Sequence, residues 1–433
     1  MERYAGATDP PARRDPMTTE IPNNIITLMD KGVSIPCPSA VVIGEEVRVE
    51  RISAKGTVLY PGTRLAGEKT LIGPGARIGF ESPVTIVDCQ LGADVELRGG
   101  FFSRSVFLAR STMGSGAHVR EDCLIEEEAS GAHSVGLKQT ILLPFVTLGS
   151  LVNFCDCLMA GGTSRKDHSE VGSSYIHFNF TPNQDKATAS LIGDVPRGVL
   201  LRNAPIFLGG QGGLVGPVRL GYGTVIAAGT IWEDDCPQGG MLLKGSVLRS
   251  ERPHYPGLYR EVKRKVANNL TYLGNLVALR QWYAHVRRPF LQVLEGGPEL
   301  CEGALDVLRG VLEERIIRLR ALAEKMEQSI AIGEKVLQGR TKAALQKQKR
   351  ELLHNWPEVE KRIAGLEEDS IAERERRHFL TAINERRSKE AVDYIDFIQA
   401  LDRKSAEAGS AWLQSVVDTV VSGALDALPS FRE

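Results

Sequence analysis

Leu65, Leu71, Ile78, Val84, Leu91 and Leu97 recur every six or seven residues, several beside a glycine, as in LIGPGARIGF, VVIGEEVRV and QLGADVEL. The rhythm returns at Leu142, Leu148 and Phe154, and again at Leu208, Leu214, Leu220, Ile226 and Trp232. An amphipathic helix repeats every ~3.6 residues and a half-buried strand every ~2, so neither accounts for a period near six. Very short strands separated by sharp turns do account for it, because Gly, Asn and Asp accept the positive φ such turns need. Three such steps close one triangular coil with its aliphatic side chains inward, and stacked coils bury a continuous core. A β-sandwich would instead alternate strictly and turn every ~8–12 residues. The spacing therefore predicts a parallel β-helix, a hexapeptide solenoid, from about 40 to 232. That length makes on the order of ten coils, whose ends need caps.

After IWEDDCPQGGMLLKGSVLRSERPHYPG glycine becomes rare and charge crowds in. LDVLRGVLEERIIRLRALAEKMEQSI places apolar residues at 308, 312, 316, 319, 322/323, 326 and 330, the threes and fours of a helix. KAALQKQKRELLHNWPEVEKRIAGLEEDSIAERERRHFLTAINERR continues the pattern with Pro357 as an interruption or a first-turn residue, and AWLQSVVDTVVSGALDALPSF reads as a further amphipathic helix. The expected organisation is a disordered tail over 1–25, a β-helix over 26–250 and a helical or coiled-coil region over 251–433.

Lys plus Arg number 53 and Asp plus Glu 54, so no global field draws the chain to nucleic acid or an acidic membrane. The seven cysteines are scattered and odd in number, which argues against a disulfide framework. Cys155 and Cys157 form a C-x-C pair, expected on one side of a strand, but structural zinc wants ~4 ligands and no second pair lies nearby. MERYAGATDPPARRDPMTTEIP lacks the apolar run of a signal sequence, and no segment is long enough for a membrane span. The cytoplasm is the expected location, with Met17 an alternative start.

The rhythm breaks at about 161–190, from GGTSRKDHSEVG through SSYIHFNFTPNQDKATAS. In a solenoid the coils are scaffold and the excursions carry chemistry. This one offers Lys166, His168, His177, Asn179 and Lys186.

VNFCDCLMAGGTSRKDHSEVG resembles the segment that carries the catalytic histidine in the C-terminal acetyltransferase domain of the bifunctional N-acetylglucosamine-1-phosphate uridyltransferase family. Gly161, Gly162, Lys166, His168, Val171 and Gly172 carry that match. NFTPNQDKAT with Leu191, Ile192, Gly193 and Asp194 is similar to the family's asparagine segment and the Ile-Gly-Asp after it. IFLGGQGGLVGPVRLGYGTVIAAGT follows its later coils. The resemblance covers roughly 150 to 200 residues and implies a left-handed winding, the exception to the right-handed crossover rule.

It further implies a homotrimer and acetyl-CoA as acetyl donor, lying in a groove between two solenoids. The acceptor would be an amino sugar or its phosphate or nucleotide. His168 then becomes the general base, a step contributing ~10²–10⁴-fold in rate, with His177 as alternative. Asn179 would hold the thioester end, Gly210 and Ala228 would line the carrier's groove, and Lys244 would meet its phosphates. Lys138, Lys166 and Lys186 are candidates for the acceptor. No metal is expected.

Two departures stand out. The interval from His168 to Asn179, eleven residues, is about half the family's, and the family's substrate lysine falls at Cys155. An arginine position falls near Leu137, with Lys138 as replacement. Losing two charge-assisted contacts of ~1.5–3 kcal/mol each weakens phosphate binding by roughly a hundredfold or more. YPGTRLAGEKT, at 60–70, has a nucleotidyltransferase-like Gly-Thr-Arg but lies within the six-residue rhythm, and no nucleotidyltransferase domain is visible. The rival reading is a non-catalytic sugar-nucleotide-binding or scaffold member of the same superfamily. A third is a zinc hydratase with His118, His133 and His168 converging between subunits.

Overall fold

The computed structural model describes residues 21–245, 251, 253–337, 342–366, 370–387 and 393–432. Its first part is a solenoid with three faces. The first face stacks ten strands, from Val58–Leu59 through Thr147–Leu148 and Glu170–Val171 to Leu242–Leu243. The second runs from Val42–Ile43 through Ala117–Val119 to Ile231–Trp232, and the third from Leu71–Ile72 through Cys123–Ile125 to Arg219–Leu220. Pairing between coils is parallel, and the residues of the rhythm point into the core: Leu65, Ile78, Leu97, Leu148, Leu208 and Ile226 are buried. The Gly62–Arg64 string is part of this solenoid, with Arg64 paired to Val42.

Most corners are turned by a residue with positive φ. Asp88, Arg104, Asp122, Gln139 and Asp156, at φ 43–61°, turn the chain from the second face to the third. Gly62, Gly116, Ser134, Leu151, Ser174, Gln211 and Gly229 do so between the first and second. Most side chains disfavour this conformation, so its recurrence in stacked columns reflects the ladder bonds on both sides.

The residue after the second-to-third corner is small and polar. Cys89, Ser105, Cys123, Thr140 and Cys157 each donate to the carbonyl two residues back, at 2.9–3.9 Å. The C-x-C pair is therefore not a two-thiol site on one side of a strand. Asp156 turns the chain between them, leaving Cys155 half-buried on the outside and Cys157 fully buried. Burial pushes the Cys157 thiol well above its usual range, and that of Cys89 up to about 12.

Helix α1, Asn23–Lys31, closes the first end by burying Ile25 and Leu28, and Lys31 Nζ donates to Ile52 O at 2.6 Å. It starts inside the stretch expected to be a tail; the remainder of that stretch up to residue 20, with Met17, lies outside the described residues. A short helix α2, Val195–Gly198, leaves the solenoid after Ile192. The helical region then comprises α3 (Lys263–Trp282), α4 (Arg288–Leu291), α5 (Gly297–Leu337), α6 (Ala343–Ala364), α7 (Glu373–Arg387), α8 (Tyr394–Gln399) and α9 (Arg403–Leu425). Pro357 does not interrupt α6, which runs through it. Among the described residues no helix is long and apolar enough to cross a membrane.

These helices lie on the third face. Its strands are buried on both sides, as at Leu71–Ile72, Gln90–Leu91 and Cys123–Ile125, the pattern of a sheet covered by helices. Helix α5 approaches closely because Gly303 and Gly310 face the coils. A Cβ on Gly303 would sit 2.3 Å from Gln90 Oε1, and one on Gly310 2.8 Å from Asp122 Oδ1. Polar pins add to the apolar contact. Asn268 Nδ2 donates to Asp235 at 2.9 Å, Asn275 Oδ1 accepts from Val195 N at 2.8 Å, and buried Arg315 donates to Asp156 and Gln139, each at 2.8 Å.

Another pin is buried at the corner between third and first faces. Glu126 accepts from Tyr283 Oη at 2.5 Å, Glu127 pairs with Arg287, and the Arg287 guanidinium stacks over Tyr394 at 3.8 Å. Burial pushes the Glu126 carboxyl up to about 7, with Arg287 pulling down and Glu127 pushing up. A carboxyl raised in the fold favours folding when protonated, so its contribution is lost as pH rises from the unfolded value near 4.5 through about 7. Denaturant unfolding followed by circular dichroism should show a loss on the order of 3 kcal/mol across that window, and Glu126→Gln should flatten it.

Candidate functional site

The edge between first and second faces carries a column of small residues. Ser173, Gly210 and Ala228 stack one per coil, Gln211 N donating to Ser173 O and Gly229 N to Gly210 O. A Cβ on Gly172 would meet Gly210 N at 2.4 Å, so the coils are tightly nested here. Lys244 begins the same turn of the next coil and is exposed, as is Ala228. The flanks are apolar and uncovered. Phe207, Val225 and Leu242 stand 40%, 37% and 61% exposed on the first face, and Ile176 and Ile231 stand 38% and 57% exposed on the second. Gly210, Ala228 and Lys244, which the sequence linked by resemblance, thus lie on one edge.

His168 lies on a different edge. The expected loop over 161–190 is not one excursion. Gly162–Ser164 and Asp167–His168 form a small antiparallel hairpin; Glu170–Val171 and Ile176–Phe178 return to the first and second faces; only 179–189 then leaves the stack. Arg165 ties the hairpin to the edge between third and first faces, donating to Glu128 O at 2.9 Å and Thr147 Oγ1 at 2.8 Å. On its other side Gln399 of α8 donates to Thr163 O at 2.5 Å. The His168 side chain is 19% exposed, its Nε2 lies 4.0 Å from Glu170, and its buried Nδ1 has no hydrogen-bond partner. Lys166 is exposed at the hairpin tip.

His177 is not a base facing a groove. It points into the solenoid, 4% exposed, with Nε2 2.7 Å from Ser190 Oγ and its ring edge-on to Phe154. Strand alternation puts Ile176 outside and His177 inside. Burial lowers its pKa to about 4, so it is neutral at ordinary pH. Asn179 opens the excursion at the next corner and is used by it, donating to Asp156 at 3.3 Å and accepting from Thr188 Oγ1 at 3.0 Å. Lys186 is exposed at φ 53°, and its carbonyl accepts from Arg315 at 3.4 Å.

The second face holds a cleft of about 450 Å³ that sequence reasoning did not find. Gly136 leaves a hollow between the exposed side chains of His118 and Asn153, with Arg120 at one end. Arg120 reaches Cys155 Sγ at 3.7 Å and has no carboxylate within ion-pair distance among the described residues. Lys138, the expected replacement, is instead paired with Glu121 at 2.8 Å. Signals for this cleft were present: Phe101, His118, Gly136 and Asn153 occupy one register position in successive coils. The hexapeptide period marks the inward residue, whereas the cleft depends on the outward one.

His118 is on the second face, His133 at the column's edge bonded to Ser150 Oγ at 2.8 Å, and His168 on the far edge of the first face. Among the described residues no group of three or more His, Cys, Asp or Glu is placed to hold a metal ion.

His177, depressed by burial, favours folding above its unfolded value near 6.5, and this is lost as pH falls toward about 4. Nitrogen-15 spectra should show the His177 ring neutral at pH 5.5, and stability should fall by an amount on the order of 3 kcal/mol between pH 6.5 and 4, less in His177→Phe.

No protein-family model matches the chain. Curated relatives do. It is 26% identical over 211 residues to the bifunctional protein GlmU of Thermotoga maritima, covering 48% of this chain and 42% of that one. It is 27% identical over 213 residues to GlmU of Geobacillus sp. strain WCH70, covering 49% and 41%. It is 28% identical over 237 residues to GlmU of Caldanaerobacter subterraneus subsp. tengcongensis, covering 55% and 46%. The chain spans less than half the length of these relatives. The six-residue period, the parallel solenoid and these similarities fit a hexapeptide-repeat protein of the acyltransferase type, related to the GlmU proteins.

Proposed function

We propose that the chain is an acyltransferase that works as a homotrimer and passes an acetyl group from acetyl-CoA to an amino sugar or its phosphate or nucleotide. The observation that carries this is the column of Ser173, Gly210 and Ala228 with exposed apolar residues along both flanks. Small side chains admit an extended arm close to the backbone, and the uncovered Phe207, Val225, Ile176 and Ile231 suit both that arm and a neighbouring solenoid. Lys244 at the end of the column supplies a cation for the carrier's phosphates, and Asn179 an amide near the excursion. Arg120, without a carboxylate partner among the described residues, lines the second-face cleft and suits an anionic acceptor. Lys166 and Lys186 are exposed cations of the hairpin and the excursion.

His168 is the base in this reading. Its imidazole takes the proton from the acceptor amine as nitrogen attacks the thioester carbonyl, and the thiolate leaves. Glu170 lies 4.0 Å from its Nε2. His168 and the small-residue column occupy opposite edges of the first face, so a site containing both draws them from two copies of the chain. A closed cyclic assembly provides that juxtaposition.

Release of free thiol from acetyl-CoA, measured against a panel of amino sugars and sugar nucleotides, tests the proposal. His168→Ala should lower kcat by ~10²–10⁴-fold, and Arg120→Ala should raise the acceptor KM about tenfold or more. Turnover unchanged in His168→Ala removes His168 as base. The second reading, a non-catalytic binding or scaffold protein, is favoured by the one-protomer separation of His168 from the column. It predicts sugar-nucleotide binding without thiol release.

A further inference from the structure

We propose that the cleft between the 179–189 excursion and the segment 253–262 binds a nucleoside phosphate. The cleft measures about 370 Å³, within the ~300–1,000 Å³ typical of small-molecule sites. Its walls are fixed by the helical region. Asn183 Oδ1 accepts from Gly257 N at 2.8 Å, Asp185 pairs with Lys265 at 2.7 Å, Ala187 O accepts from Asn269 at 3.2 Å, and Tyr259 N donates to Ser329 Oγ at 2.9 Å.

The lining has two chemistries side by side. Phe180 is 68% exposed and makes no ring contact among the described residues, an aromatic face of that size left in water at the mouth of a cleft. Tyr255 and Tyr259 line the same space. The cations exceed the anions there. Asp185 is neutralised by Lys265, whereas Arg260 and His254 have no carboxylate within ion-pair distance among the described residues. Stacking on an exposed ring is how proteins hold bases of any identity, and an unpaired guanidinium is the usual partner of a phosphate. A ligand satisfying both carries a planar heterocycle joined to a phosphate. The signal in the sequence is split between NFTPNQDK and RPHYPGLYREVK, about 70 residues apart, and only the docking of the helical region brings them together.

Nucleoside phosphates reach such a protein as part of an acyl-CoA or of a sugar nucleotide, and calorimetric titration of the full chain separates the two. Saturable binding of ADP or UDP is expected, at least tenfold tighter than inorganic pyrophosphate. Phe180→Ala and Arg260→Ala should each weaken it about tenfold. Both side chains are exposed, so these substitutions spare the fold. Tighter ADP assigns the cleft to the donor, and tighter UDP to the acceptor. No saturable binding at millimolar nucleotide overturns the proposal. So does equal binding of pyrophosphate, which marks an anion site only, or indifference to both substitutions. The readout needs no turnover, so absent thiol release with intact nucleotide binding defeats the acyl-transfer reading alone.

Discussion

Every coil of this solenoid satisfies its backbone through the coils above and below, and the corner residues make that possible. A strand of two or three residues has too few ladder bonds to hold itself. It persists because a residue at positive φ turns the chain at most corners and the next coil repeats the turn in register. Asp88, Arg104, Asp122, Gln139 and Asp156 form one such column, and the side chains that follow them donate to the carbonyl just before the turn. Such a stack has no tolerance for irregular length inside a coil, so extra residues go outward at edges. The Gly162–His168 hairpin, the 179–189 excursion and the α2 segment are all edge insertions.

The second constraint is the third face. Its outward side chains, Leu71, Val106, Leu124 and Leu158 among them, are as apolar as its inward ones and cannot face water. The helical region answers this, and one hydrophobic core runs from the solenoid into α3, α5, α7 and α9. With one face covered, the small-residue column and the Arg120 cleft lie on the other two faces and their shared edge. The same docking clamps the 179–189 excursion through Arg315, Lys265 and Asn269. A helical region that reads in sequence as a separate tail therefore shapes the surface around the candidate site.

Architecture was legible in the sequence to the extent that it is local. The period near six specified the coils because each inward aliphatic sits in the same environment as the one before. The spacing of threes and fours specified α5 for the same reason. Pro357 was misread because its effect depends on whether neighbouring helices hold α6 together, and here Trp356 and Val359 are buried against them. The site was legible only in part. Gly210, Ala228 and Lys244 share an edge, a placement the six-residue period alone does not give. His177 was indistinguishable from His168 as a polar loop residue, since whether it points inward depends on the register of Ile176–Phe178 against Gly213–Val215.

By itself the sequence determined the repeat, the parallel solenoid, the change to helix after the solenoid and the small residues of the later corners. These follow from side-chain period and turn chemistry, which are properties of neighbours along the chain. Tertiary structure decided which face the helices cover, that His177 is core, that Asn179 is tied into its own excursion, and that Phe180 and Arg260 share a cleft. Those outcomes depend on contacts between segments tens to hundreds of residues apart, whose pairing is set by packing the whole core at once.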